Sequence, residues 1–181
     1  MTEPRFDPGA FYEFDLPKGR VKGRTGARVV VLSDDVLGPL VAAASSQGDL
    51  TPVRTLGNLL GDEVVASLGG NPTGLTPETV LSHASAVFAM HGFGALSFER
   101  WGDALVITVA DAPQLDEAWL GIAALLGGMF SVTSQADVAC VPVEPGRFLV
   151  CDPSIAGDVW NAAQSGASLG AIASSLAPAT A

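Results

Sequence analysis

"HGFGALSFERWGDALVITV", residues 91–109, decides how this chain folds. Upstream of it, Thr76 and Pro77 carry the cap and first-turn chemistry of a helix start, with Glu78 in the first turn. Val80, Ala84, Val87, Phe88 and His91 then recur at helical spacing on one face. Gly92 therefore follows a helix, where a left-handed residue stops it, and Gly94 loosens the turn into a strand. Leu96 and Phe98 alternate with Ser97 and Glu99, "RWGD" turns the chain, and Leu105, Ile107 and Val109 share one face on the way back. The passage reads as a helix feeding an antiparallel hairpin.

That direction also decides what the histidine and glycines are for. Phosphate loops place their glycines between a strand and the N-terminus of the following helix, where free N–H groups meet the anion. Here the glycines come after a helix, at the end where the orphan groups are carbonyls. His91, with apolar neighbours and no nearby ligand, reads as a packed or carbonyl-capping histidine. His83 lies eight residues earlier, too far along one helix to share a metal ion with it. The serines of "AAASS", "LSHAS" and "FSVTS" come without a nucleophile elbow or an assigned base, so no catalytic residue is named.

Working outward, "FYEFDL" (11–16) and "ARVVVLS" (27–33) read as strands joined by a long Gly- and Lys-rich connection. Ser33, Asp34 and Asp35 start a helix with Val36, Leu37, Leu40, Val41 and Ala44 on its apolar face. Thr51 and Pro52 start another, with a Val53, Leu56, Leu60 and Val64 stripe. Gly57 and Gly61 in that helix mark either close approach of another backbone or a break into two shorter helices. Downstream, an apolar helix is expected over about 116–130, then a hairpin of "VACVPV" and "RFLVC". With Pro145 and Gly146 as a two-residue turn, Cys140 and Cys151 face each other across the ladder, as buried reduced thiols. Asp152 and Pro153 cap a last helix bearing Ile155, Val159 and Trp160, and "SGASLGAIASSLA" adds a terminal turn or helix. The element order is two strands, three helices, two strands, a helix, two strands and a helix. This is an α+β fold, one domain over 11–176, with a helical layer and antiparallel hairpins, a tail at 1–10 and a frayed end at 177–181.

Composition narrows the function classes. Hydrophobic residues make up 48% and charged residues 15%, a folding composition rather than a disordered one. A net charge of −10 disfavours nucleic acid, and the basic run Lys18, Arg20, Lys22, Arg24, Arg28 has no interleaved aromatics and reads as a solvated hairpin. The apolar stretch 118–130 is shorter than the ~20 residues that cross a bilayer, and "MTEPRFDPGA" lacks the features of a signal peptide. A cytoplasmic protein is expected. Trp101, Trp119, Phe130 and Trp160 line a cavity or serve as core or interface, and Gly127 and Gly128 suit close packing such as a dimer interface.

The order of "RTLGNLLGDEVVASL", "TPETVLSHASAVFAMHGFGALSFERWGDALVITVADAP", "LLGGMFS", "ADVACVPV" and "GRFLVCDP" resembles the 4-vinyl reductase domain family over about residues 10–165. That family shares its fold with the core subunits of the TRAPP vesicle-tethering complex. The resemblance implies a TRAPP-like domain with a cavity for small hydrophobic molecules, often dimeric through its helices. Sensor members hold zinc through cysteines; at the corresponding places this chain has Trp119 or Leu120 and "VEPGR", so no metal is expected. The polar segment that sensors use after the central hairpin is replaced by "ADAPQ". The expected function is a non-enzymatic, homodimeric module that binds a hydrophobic ligand, without a cofactor. Phe88, Leu105, Ile107, Trp119, Met129 and Phe130 are the expected cavity residues, because they project from the helices and strands that would enclose it. The alternatives are a scaffold whose cavity is filled and which acts on a protein partner, and an accessory component of tetrapyrrole vinyl reduction.

Overall fold

Glycine sets the spacing of the helical layer. The computed structural model describes residues 4–102 and 104–176. Three short strands, β1 (Glu13–Asp15), β2 (Arg20–Lys22) and β3 (Arg28–Val29), form an antiparallel sheet. Helices α1 (Asp34–Ser46), α2 (Thr51–Ser67) and α3 (Pro77–Met90) follow. Then come β4 (Ala95–Trp101), β5 (Ala104–Ala110), α4 (Leu120–Ser134), β6 (Ala139–Glu144), β7 (Arg147–Cys151), α5 (Ala156–Gln164) and α6 (Leu169–Leu176).

α2 is one continuous helix, so Gly57 and Gly61 mark close approach and not a break. A Cβ at Gly57 would run into the backbone of Leu125, and one at Gly61 into Val132 and the Met129 carbonyl. α4 reciprocates with Gly128, whose missing Cβ leaves room for the Arg54 carbonyl and Asn58 amide. The glycine face of α4 expected to suit a dimer is thus occupied by α2 of the same chain. Side-chain-free seams bring two helix axes closer than ordinary residues allow, and here they fix the helical layer on the sheet.

The larger sheet is fully antiparallel in the order β4-β5-β7-β6. Period-2 alternation splits its side chains into two faces. Leu96, Ile107, Val109, Phe148 and Cys140 face a core shared with α2, α3 and α4. Val106, Val141, Leu149 and Cys151 face a second cluster with Val159, Leu169 and Ile172 of α5 and α6. The sheet is therefore covered on both sides. The segment after α5 is a full helix and not merely a turn.

Three expectations are corrected. The "ARVVVLS" run pairs only at Arg28 and Val29, and Val30, Val31 and Leu32 are 71%, 79% and 54% exposed. In this register Val30 would stand opposite Arg20, the first residue of β2, so Val31 and Leu32 run past the strand and find no ladder to join. The apolar helix begins at Leu120 and not near 116, because Asp116 stays outside as its cap, accepting hydrogen bonds from the Leu120 N–H (2.9 Å) and the Gly121 N–H. The cysteines do not face each other. A register shift between Pro142 and Glu144 pairs Cys140 with Val150 and Cys151 with Ala139, which puts the two thiols on opposite faces.

At the N-terminus, Phe6 packs within 5.7 Å of Phe11 and 5.6 Å of His83, ring centre to ring centre, so the chain is docked before residue 11. The end expected to fray, 177–181, lies outside the described residues. Three cations of the basic run form ion pairs within the sheet, Lys18 and Arg20 with Asp15 and Lys22 with Glu13, and Arg28 donates to the Gly19 carbonyl. Glu63, buried on α2, clamps the β2–β3 turn by accepting from the Thr25 hydroxyl (2.8 Å) and the Thr25 N–H (3.2 Å).

Candidate functional site

Of the six residues expected to enclose a cavity, Phe88, Ile107, Met129 and Phe130 meet in one cluster between α3, α4 and the sheet, and all four are buried. Phe130 meets Phe98 edge-on at 6.2 Å and Phe88 meets Phe93 at 5.4 Å, so these rings fill the space they share. Trp119 packs on the same cluster from the head of α4, edge-on to Phe148 at 6.1 Å. It holds a left-handed backbone (φ 63°), uncommon for a bulky residue, and its indole reaches Gly146 in the β6–β7 turn. Leu105 stands apart, half-buried opposite Val150 at the far end of β5. The aromatic group named with them also disperses. Trp101 is exposed on the other face of the sheet beneath the Arg147 guanidinium (5.8 Å), and Trp160 joins the α5–α6 cluster.

Open space lies at the edge of the same core, beside Leu125 of α4. A pocket of about 160 Å³ sits between α1 and α2. Leu37, Leu40, Val41 and Ala44 wall it from α1, and Pro52, Val53 and Leu56 from α2. Leu115 and Leu125 close its floor, and no titratable side chain lines it. The nine lining residues are all Leu, Val, Ala or Pro. α1 is lightly held. Of its thirteen residues only Gly38 and Val41 are buried, and Pro39 interrupts its hydrogen-bond ladder. The apolar stripes of α1 and α2 were readable from spacing. Their meeting over an unfilled gap, where α1 offers only Ala44 at its C-terminal end, was not.

The polar side chains near the core are structural. Ser67 Oγ lies 2.8 Å from His83 Nδ1, a nucleophile-and-base distance. Both residues are buried, Ser67 donates to the Val64 carbonyl (2.7 Å), and His83 Nε2 faces the Pro4 carbonyl (3.0 Å) where a triad would place an acid. The pair ties the N-terminal segment to α2 and α3. His91 Nδ1 donates to the Val87 carbonyl (3.0 Å), and burial pushes its pKa down. Burial raises both thiols, Cys151 to about 11 and Cys140 further, so neither is a reactive thiolate at neutral pH. Among the described residues, no three His, Cys, Asp or Glu side chains gather as a metal site, and no helix is long and apolar enough to cross a membrane.

No protein-family model matches the chain, and no curated protein does. Among solved structures, the chain is similar to the phenol-responsive sensory domain of the transcription activator PoxR, determined with phenol. The TM-score is 0.60 at 13% identity, covering 90% of this chain and 92% of the other. The two share a fold.

Proposed function

We propose that this chain is a non-enzymatic small-molecule-binding module of the sensor type, a member of the 4-vinyl reductase family that takes an apolar ligand. The observation that carries this is the solvent-reachable pocket between α1 and α2, walled only by aliphatic side chains. Pockets of this kind are places where an apolar molecule exchanges water for protein contacts at about 25 cal/mol per Å². The fold shared with a phenol-responsive sensory domain supports the same reading. In it, Phe88, Ile107, Met129, Phe130 and Trp119 form the packed interior that holds α4, and through it Leu125, as the pocket's floor, while Leu105 lies outside that interior.

The module acts as a homodimer in the cytoplasm, where buried thiols stay reduced. The exposed run Val30, Val31 and Leu32, continued by Val36 and Leu40 on α1, supplies the self-association surface, since contiguous apolar exposure marks interaction sites. A pocket of about 160 Å³ is well below the ~300–1,000 Å³ of sites for drug-sized ligands and leaves no room for a tetrapyrrole. A second reading, a scaffold working through protein contacts, is favoured by the ring-filled interior around Phe88 and Phe130.

Native mass spectrometry and solvent extraction of the purified protein, with titration of an apolar fluorescent dye, test the proposal. A co-purifying apolar molecule or saturable dye binding is expected. A protein that carries no ligand and leaves the dye unbound fits the scaffold and overturns the binding module.

A further inference from the structure

We infer that the free end of the N-terminal sheet is a docking tip for an anionic lipid bilayer, with Phe14 and Leu16 entering the membrane and Lys18, Arg20 and Arg28 at its headgroups. Topology comes first. In an antiparallel meander the β1–β2 and β2–β3 turns lie at opposite ends. The β2–β3 end is fixed to the body, since Glu63 of α2 accepts from Thr25 and its carboxylate fills the space beside Gly23. The β1–β2 turn, residues 16–19, is therefore the far end, about 10 Å beyond that clamp at ~3.3 Å per residue of β2. All four of its residues are exposed.

Surface chemistry comes second. Cross-strand pairing puts Phe14, Val21 and Val29 on one face of the sheet, and Glu13, Lys22 and Arg28 on the other. The apolar row belongs to neither core cluster, and Phe14 is 62% and Leu16 77% exposed. Cations flank it. Lys18 stands in the turn, Arg20 opens β2, and the Arg28 guanidinium reaches the Gly19 carbonyl (3.2 Å). Residues 13–28 carry five cations and two carboxylates, a net +3 in a chain of net −10, so the rest of the molecule carries −13. A negatively charged surface is attracted by this sheet and repelled by the remainder, which fixes the direction of approach. The pairs that Lys18 and Arg20 make with Asp15 lie at the surface, where ion pairs are weak and leave the net charge of the sheet available.

The apolar side chains select the partner. A nucleic acid engages the cations and leaves Phe14 and Leu16 in water. A protein must supply a recess shaped to an exposed turn, whereas acyl chains take up any apolar shape while Lys and Arg stems reach back to the headgroups. Attachment to the acidic body of a second copy is heterologous and strings copies together without closing. The anionic cytoplasmic leaflet supplies the matching surface. The tip uses none of the residues assigned above to self-association.

The test is flotation of the full chain with vesicles of phosphatidylcholine alone, or with about one-third phosphatidylserine, at ~0.1 M and ~0.5 M salt. Binding is expected only with phosphatidylserine and is weaker at the higher salt. Leu16→Ser combined with Phe14→Ser should lower the affinity at least about tenfold. Lys18→Glu should lower it about twentyfold, two charge units at about fivefold each. Arg100→Glu, exposed on β4, should leave it unchanged. All of these variants are expected to melt close to the wild type. Absence of flotation with phosphatidylserine overturns the proposal. So does flotation that survives the loss of Phe14 and Leu16, or that a DNA duplex competes away with equal affinity for wild type and double variant, because either reduces the tip to a patch of cations. Strings of copies that form without vesicles and disperse in Lys18→Glu overturn it in favour of the acidic body of a second copy. None of these results touches the pocket reading, and a protein that carries no ligand and binds no dye leaves the docking tip standing.

Discussion

Replacing Gly57 by alanine tests the helical layer on which the pocket is built. In an isolated helix the change gains about 1 kcal/mol of propensity. Here the new Cβ falls inside contact distance of the Leu125 carbonyl oxygen, carbonyl carbon and Cα, all of them backbone atoms that no rotamer change can move. α2 and α4 must separate, and overpacking of this kind costs about 1–3 kcal/mol. The upper end applies, because separation also loosens Gly61 against Val132 and Gly128 against Arg54. Subtracting the propensity gain leaves a net loss of about 2 kcal/mol, or about 4–8 °C in melting temperature for a chain of this size. Gly157→Ala in α5 is the matched control, since a Cβ there meets nothing within 4 Å. It is expected to gain up to about 1 kcal/mol. Urea and thermal unfolding of both variants decide the matter. Gly57→Ala melting at or above the wild type, with Gly157→Ala stabilised as expected, would refute the close-seam reasoning.

Further expectations concern caps and titrating groups. Asp116→Ala removes the acceptor of two N–H groups at the head of α4 and should cost about 1–2 kcal/mol in urea unfolding, with Asp116→Asn between it and the wild type. Cys140 and Cys151 should resist thiol reagents in the native protein and form no disulfide under mild oxidation, as mass spectrometry of the intact chain would report. Because Cys151 is raised to about 11 in the fold, its share of stability is present below the ordinary thiol pKa and is lost as pH rises toward 11; a Cys151→Ser variant should flatten that limb. The His91 pKa is depressed, so the unfolded chain takes up its proton first. Its contribution is present above the ordinary value of 6.5 and declines as pH falls below it, a slope that His91→Gln should reduce.

What the sequence made legible follows from which interactions are local. The α3–β4–β5 passage was readable because caps, glycine stops and alternation act within a few residues, and the hairpin pairs Leu96 with Val109 and Phe98 with Ile107 as alternation implies. The β6–β7 register was not, because one bulged position near Val143 moves Cys140 to the opposite face from Cys151, and no propensity marks it. "ARVVVL" looked like a strand on side-chain chemistry, but a strand needs a partner, and β2, which begins at Arg20, offers none to Val31 and Leu32. Of the six residues expected to line a cavity, Phe88, Ile107, Met129 and Phe130 are buried in one cluster; whether inward residues enclose space or fill it depends on ring packing that spacing does not encode. Ser67 and His83, sixteen residues apart on different helices, and the Glu63–Thr25 clamp left no local trace.

The most direct test of the central claim is a crystal structure of the protein exposed to the vapour of a small apolar probe such as toluene. The account predicts the probe seated between Val41, Val53 and Leu125, with α1 retained as its cover and the Phe88–Phe130 interior closed. A structure in which α1 has collapsed onto α2 with no room between them, or in which the probe lies elsewhere, would contradict it.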